Sequence, residues 1–426
     1  RQRPFLPPPG EARADWAIMS AVARRLEASG VVAKPKATTS GFSYNGPAEI
    51  FAEHARLSAF ENDGRRLFDI GALADIPYET LSPSLWPAPS ETTSGREARL
   101  FADGGFPTDT GRAHLVPVAP PPAMKSEAGL FTLNTGRVRD HWHTMTRTGR
   151  SARLSRHYGE PFVEIHPRDA MRRGILPASL VRLETPHGRA ILRALLTPRV
   201  REGEIFAPMH WTGETAPTGR IDALVPPIVD PYSGQPASKS VPVSLTPAGM
   251  AWHGFALLRE RPADIPAPYW AVARTERGWR LELAGYREAS LTATQEALLG
   301  DAPPVRLAGS VAISADPDRG ILYSASDPVP VARDWAAGLF DGTAPDAMAK
   351  LLAGRPGADA PDPGATVCSC MMVGVNTILD AIAAGARDVD AVGAATQAGM
   401  QCGSCRSEIG RLCTEASARD YLEAAE

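Results

Sequence analysis

The sequence predicts an α+β multidomain chain with a compact β-barrel near its middle and a small all-helical domain at its C-terminal end. Three observations predict it. The chain has 426 residues, more than one ordinary core accommodates, so two to four domains are expected. Between Ala128 and Met209 short apolar runs alternate with turn signals, and a single helix interrupts them, which is the pattern of a small barrel. Beyond a Gly- and Pro-rich stretch the helical period returns, and four of the five cysteines fall there in two tight pairs.

The first section, residues 1–125, opens with Asp15 to Leu26, where Trp16, Met19, Ala23 and Leu26 recur at helical spacing. Ala48 to Phe60 reads as a second helix. Ser82 to Ala123 is loop-rich, with a hairpin expected around Asp103-Gly104-Gly105 and Thr110-Gly111-Arg112. No Met starts the sequence and no apolar signal segment follows, so the section is read as the remnant of a larger domain body.

Residues 126–249 are the expected barrel. Gly129 to Asn134 is a short apolar strand, as is Phe162 to His166. A helix opened by Pro167 and closed by Gly174 follows. Leu180 to Glu184 and Ala190 to Leu196 flank His187-Gly188, a hairpin signal, and Glu204 to Met209 adds a further strand. Residues 250–353 give weaker signals and read as a connecting region with a helix near Ala344 to Leu352. Residues 354–364 form a proline-rich linker. In residues 365–426, Val375, Ile378, Leu379 and Ile382 mark one face of a helix ending at Gly385. Val389 to Ala398 and Ser404 to Leu422 supply two more. About sixty residues make a marginal core, which a metal centre would tie together.

Composition narrows the function classes. A net charge of −3 gives no electrostatic case for nucleic acid or an anionic membrane. No run of about 18 apolar residues is present. Five cysteines in a chain of this size make no disulfide scaffold, which favours a reducing, cytoplasmic compartment. The 40 prolines, roughly twice the usual share, mark seams between elements.

The chemistry-bearing residues form two groups. Cys368-Ser-Cys370 and Cys402-Gly-Ser-Cys405 can present four sulfurs to one centre: an iron–sulfur cluster, a structural zinc, or disulfides. A zinc site usually spaces both pairs as C-x2–4-C, and the short C-x-C here favours the cluster. Gly403 leaves backbone N–H groups free to point at sulfur, and a helix start beside them favours thiolate. Cys413, further along that helix, reads as a buried small hydrophobe. The second group runs from Asn134 to Arg150. Here Thr135-Gly136-Arg137 lets a backbone approach a phosphate while the guanidinium grips it. His141 and His143 flank Trp142, and Thr144 and Thr146 add hydroxyls, a plausible cradle for a large nucleotide-like cofactor. A basic, solvated loop has the same composition and is the commoner reading on composition alone.

The cysteine pattern resembles the bacterioferritin-associated-ferredoxin-like 2Fe–2S domain over about Cys368 to Cys413. Leu133 to Arg150 resembles the signature of the C-terminal molybdopterin-dinucleotide-binding domain of bacterial assimilatory nitrate reductases. So do Pro161 to Ala170, Ala207 to Trp211 and Val229 to Pro236, while Phe60 to Gly64 and Phe68 to Gly71 resemble the same enzymes' preceding body. The resemblance implies a double-psi-like barrel holding molybdopterin guanine dinucleotide, with Asn134, Thr135, Gly136 and Arg137 by the phosphates. His141, His143, Thr144 and Thr146 would lie along the pterin, and His210 and Trp211 would close another wall. Position 141 is His where the family commonly has Gln, and Asp222 stands where it usually has Asn, trading an amide donor for a negative charge. The resemblance also implies that the molybdenum ligand and a 4Fe–4S cluster belong to an N-terminal half not found here, so the chain as it stands should not reduce nitrate. Electrons would come from a flavin/NADH-dependent reductase or a ferredoxin and enter at Cys368, Cys370, Cys402 and Cys405. Two alternatives stay open: another molybdenum oxidoreductase such as a formate dehydrogenase, and a non-enzymatic module with a four-cysteine zinc site.

Overall fold

The structure, a computed structural model, describes residues 6–33, 40–63, 68–88, 101–117, 129–231, 233–301, 304–306, 311–343, 346–354, 363–368 and 370–423. The chain divides into two compact units, Arg1–Pro122 and Ala123–Glu426.

In the first unit, α1 (Asp15–Ala28) and α2 (Pro47–Ala59) form where the periodicity predicts them. Pro47 sits in the first turn of α2, where its missing N–H costs nothing. The core is small: Ala55, Ile70 and Ala74, with Phe51 and Leu73 packed against it. The hairpin expected at 103–112 is absent among the described residues, and consecutive turns replace it. Local bonds explain the difference: the Gly105 N–H donates to Asp103 Oδ1, and Thr108 Oγ1 donates to the Arg112 carbonyl. Gly64, at the end of one quoted motif, lies outside the described residues, as does Ala344.

The second unit opens with a closed six-stranded barrel. Its strands are β1 (Phe131–Gly136), β2 (Phe162–Ile165), β3 (Leu180–Thr185), β4 (Gly188–Leu196), β5 (Glu204–Pro208) and β6 (Val241–Pro247). They run in the order β1-β5-β2-β4-β3-β6, and β6 pairs back onto β1. β1 pairs parallel with β5 and β2 with β4, and the remaining pairings are antiparallel. Closure leaves no exposed sheet edge. Leu133, Val163, Val181, Leu183, Leu192 and Leu245 are wholly buried inside. Two short helices decorate the barrel, α3 (Ala152–His157) and α4 (Pro167–Arg172).

Where the sequence reads only as a connection, the structure has a second sheet. Six antiparallel strands follow: β7 (Trp252–Leu258), β8 (Tyr269–Arg274), β9 (Trp279–Gly285), β10 (Pro304–Arg306), β11 (Ala312–Asp316) and β12 (Gly320–Ala325). Their order is β10-β11-β12-β7-β9-β8. The signal was weak because the central strands are covered on both faces: every residue of β7 and β12 is buried, so no polar–apolar alternation remains to read. On one face Phe255, Leu257, Ile321 and Tyr323 meet α6 (Arg333–Asp341) and α7 (Ala347–Ala353) through Phe340 and Leu351. On the other, Trp252, Leu281 and Leu283 meet Leu298 and Leu299 of α5 (Glu288–Leu299). Glu282, 1% exposed, bonds Arg333 of α6 and ties this sheet to the barrel through Arg193 of β4, 3.8 Å away.

The C-terminal domain is not all-helical. A hairpin of β13 (Thr366–Cys368) and β14 (Val373–Gly374) precedes α8 (Val375–Ala383), α9 (Val389–Thr396) and α10 (Arg406–Glu423). Strands of three and two residues are too short to show a period, so only the helices were legible. Among the described residues no helix is long and apolar enough to cross a membrane.

Candidate functional site: a cofactor cleft and a four-thiol centre

The segment leaving β1 builds one wall of a cleft of about 680 Å³. His141, Thr144, Thr146 and Trp211 line it, together with Arg150, Tyr158, Arg261 and Trp279. The last two come from the second sheet and its approach. Sequence reading missed them because neither sits in a motif, although Tyr269, Trp270 and Trp279 were the available signal.

His141 is 3% exposed, and its Nε2 lies 2.9 Å from the Tyr158 carbonyl. A carbonyl only accepts, so Nε2 carries the proton and Nδ1 is a bare acceptor. That Nδ1 is buried with no partner. Its ring stands edge-on to Trp211, with centroids 5.5 Å apart. His210 lies beside it, and its Nε2 accepts from the Val138 N–H at 2.9 Å. Burial lowers the pKa of both rings, and that of His210 falls to about 4, with His141 and Arg137 adding repulsion. Both imidazoles are therefore neutral at neutral pH, which offers the cleft a hydrogen-bond acceptor. A buried acceptor with no partner is costly unless a ligand N–H or O–H supplies one, and a flat, donor-rich pterin fits that need.

The turn that delivers Thr144 and Thr146 is strained. His143, Thr144 and Met145 all have positive φ, at 40°, 53° and 60°. Each such residue costs roughly 1–2 kcal/mol, and none is glycine. The buried side chain of Met145, packed with Phe162 and Trp211, anchors the turn from below. Both threonine hydroxyls donate to the His143 carbonyl, at 2.7 and 3.1 Å.

The remaining candidate residues lie elsewhere. Arg137 stacks over Trp142 at 4.5 Å, and Trp142 stacks on His143 at 4.7 Å, forming an outward-facing pile. Thr135 is buried in β1: its hydroxyl donates to the Ser238 carbonyl at 2.7 Å, and Lys239 Nζ donates to its carbonyl. Gly136 ends the strand beneath Phe206, where a Cβ would meet the ring at 2.7 Å. Asn134 points out of the barrel into a separate groove with Glu164 and Arg199. Asp222 is exposed on a short 3-10 turn, Ile221–Leu224, where its carbonyl accepts from the Val225 N–H.

The second centre is the cysteine group. Cys368 ends β13, Cys370 sits in the following turn, Cys402 lies in the loop after α9, and Cys405 immediately precedes α10. The Sγ atoms of Cys368 and Cys370 are 3.6 Å apart, as are those of Cys370 and Cys402. Cys405 adjoins Cys368, completing a chain of four free thiols. The sulfurs meet pairwise; among the described residues no three or more His, Cys, Asp or Glu side chains converge as a single-ion site.

Proton affinity alternates along this chain. Burial opposes ionisation of Cys368, but N–H groups of Gly399 and Met371 outweigh it and lower the pKa. Bonds from Ser404 lower Cys402. Burial raises Cys370 and, with the neighbouring Cys368, pushes Cys405 up to about 12. Four thiols so close cannot all ionise unaided, whereas a cationic centre replaces their protons. Gly399 makes the cradle possible. Its φ of 79° turns its N–H to sulfur, and a Cβ there would crowd Arg406 at 3.1 Å. The donor set and the surrounding N–H groups fit a two-iron cluster taking two sulfurs per iron. Cys413, 5% exposed, packs in the domain core apart from these contacts.

A closed barrel with a polar cleft thus shares one compact unit with a four-thiol domain. Residues 131–242 match the molydopterin dinucleotide binding domain and residues 366–415 the BFD-like 2Fe-2S binding domain, and the chain carries both. The chain is similar to nitrate reductases. Across 97% of its length it is 36% identical to a nitrate reductase of Klebsiella oxytoca, covering 47% of that protein. A nitrate reductase of Shewanella frigidimarina is 30% identical over 65% of the chain and 31% of that protein. The F420-dependent formate dehydrogenase 1 subunit alpha of Methanococcus maripaludis is 30% identical over 54% of the chain and 31% of that protein. The chain thus spans about half the length, or less, of these curated relatives.

Proposed function

We propose that this chain is the cofactor-holding and electron-receiving part of an assimilatory, cytoplasmic nitrate reductase. The observation that carries the reading is the Klebsiella oxytoca nitrate reductase match, which runs across both the barrel and the cysteine domain. The barrel is read as double-psi-like, in keeping with its two parallel strand pairs among antiparallel ones. When bound, molybdopterin guanine dinucleotide supplies the molybdenum centre at which nitrate, two electrons and two protons become nitrite and water. The chain's own residues do the holding. His141 accepts a hydrogen bond from the pterin, Thr144 and Thr146 offer hydroxyls beside it, and Trp211 supplies a flat wall. Arg137, stacked over Trp142, would hold the phosphates.

Electrons arrive at Cys368, Cys370, Cys402 and Cys405 from a flavin/NADH-dependent reductase or a ferredoxin. A formate dehydrogenase is the second reading, favoured by the Methanococcus relative. The test uses the protein as its gene encodes it, loaded with cofactors and supplied with a reduced viologen dye. Nitrate should reoxidise the dye, and formate should not reduce the oxidised form; the opposite pattern selects the second reading. Arg137→Ala should also lower the pterin content of the purified protein, and unchanged content would remove the phosphate role.

A further inference from the structure

Arg139, in the cofactor segment, reaches into the cysteine domain. Its Nη2 donates to the Val367 carbonyl at 2.6 Å, one residue before Cys368. Its Nη1 pairs with Glu408 at 3.0 Å, three residues after Cys405. On the barrel side its Nε lies 3.5 Å from Asp140, and Nη2 is 2.9 Å from the His157 Nδ1 that Asp140 also holds at 2.6 Å. The adjacent Val138 N–H donates to His210. One guanidinium therefore links Asp140 and His157 on the barrel side to residues beside both cysteine pairs. Its side chain is only 18% exposed, so solvent and salt screen its charge weakly.

We propose that Arg139 is a positioning and tuning residue: it clamps the cysteine domain to the barrel, and its fixed positive charge raises the reduction potential of the cluster. The inference rests on the reading that the four cysteines hold a 2Fe–2S cluster. One-electron reduction adds a negative charge to that centre, which a nearby cation stabilises and a nearby anion destabilises. Arg139 favours the reduced form, and Glu408 opposes it from the neighbouring helix. A guanidinium suits the task because it stays charged at every working pH and its fork serves both a carbonyl and a carboxylate.

The test is a redox titration of the full, anaerobically purified chain, followed by electron paramagnetic resonance and visible absorption. Arg139→Gln should lower the reduced-to-oxidised ratio at a fixed ambient potential by about tenfold, which is about 59 mV for a one-electron couple. Arg139→Lys should stay close to wild type in potential while loosening the domain towards proteases, because it keeps the charge and loses the fork. Glu408→Gln should shift the potential upwards. Should Arg139→Gln fail to retain its cluster, the Glu408→Gln shift decides alone. Unmoved potentials in both Gln variants overturn the proposal, however loose the domain becomes. A wild-type chain that never shows cluster absorption overturns the cluster reading itself and this proposal with it, whereas a normal cluster with an unmoved potential overturns this proposal alone.

Discussion

The barrel and the cysteine domain solve the same problem, burial of a core, with different materials. The barrel core is apolar: among the described residues it holds eighteen buried apolar side chains, and fourteen of them come from the six strands. Among the described residues the cysteine domain has eleven buried residues in its core, and Cys368, Cys405 and Cys413 are three of them. Two of those three are candidate ligands. In the barrel, structure comes first and the cleft is built at one end of it. In the cysteine domain the binding groups are part of what holds the fold together, so metal occupancy and folding are coupled. A function-bearing group at the edge of a core is replaceable without unfolding; one inside the core is not.

The largest expected effect breaks the comparison on its weaker side. Cys405→Ser should remove the centre and unfold residues 366–415, a loss on the order of the 3–5 kcal/mol that a core this small supplies. Limited proteolysis should then cut the C-terminal domain while the barrel survives. Rapid cutting of both would show that the barrel depends on the cluster and would collapse the distinction.

On the stronger side, Leu133→Ala should cost about 2–5 kcal/mol, because Leu133 is wholly buried and its neighbours cannot fill the space. Chemical denaturation should show the barrel transition moved while cluster absorption per folded chain stays constant.

Acid should discriminate more finely. The folded pKa of His210, about 4, lies below its ordinary 6.5, so the neutral ring stabilises the fold. That stability is fully present above about pH 6.5 and is lost progressively as pH falls towards 4. His253, also held at about 4 by burial and the nearby Arg193, contributes in the same window. His210→Gln should therefore reduce the slope of stability against pH and leave the contribution of His253, which lies on β7 of the second sheet. A slope equal to wild type would show that the His210 ring is not held neutral.

The smallest effect belongs to the surface. Arg411→Ala removes an exposed i,i+4 pair with Glu415 and should change stability by less than about 0.5 kcal/mol. A larger loss would mean that α10 contributes more to its domain than its buried face implies.

What the sequence made legible follows from the same contrast. The barrel strands could be read because glycines, prolines and turns bound them, as at Phe162–Ile165 before Pro167. The cysteine pairs were legible because sulfur spacing carries chemistry whatever the backbone does. The second sheet was not, since burial on both faces erases the period in β7 and β12. Nor was the left-handed turn at His143 to Met145, because the usual sign of positive φ is glycine or asparagine and none stands there. Asn134 shows a subtler limit. Its spacing placed it with Thr135 and Arg137, yet strand alternation sends it to the opposite side from Leu133. Spacing along a chain groups residues that a strand then separates.

The central claim is that Cys368, Cys370, Cys402 and Cys405 hold a two-iron cluster around which the C-terminal domain folds. Metal and acid-labile sulfide analysis of the anaerobically purified chain, read with its visible absorption, tests it most directly. The account expects about two irons and two sulfides per chain in a coloured protein, with colour and protease resistance lost together on chelation. A colourless protein carrying stoichiometric zinc, with the C-terminal domain intact, would contradict it.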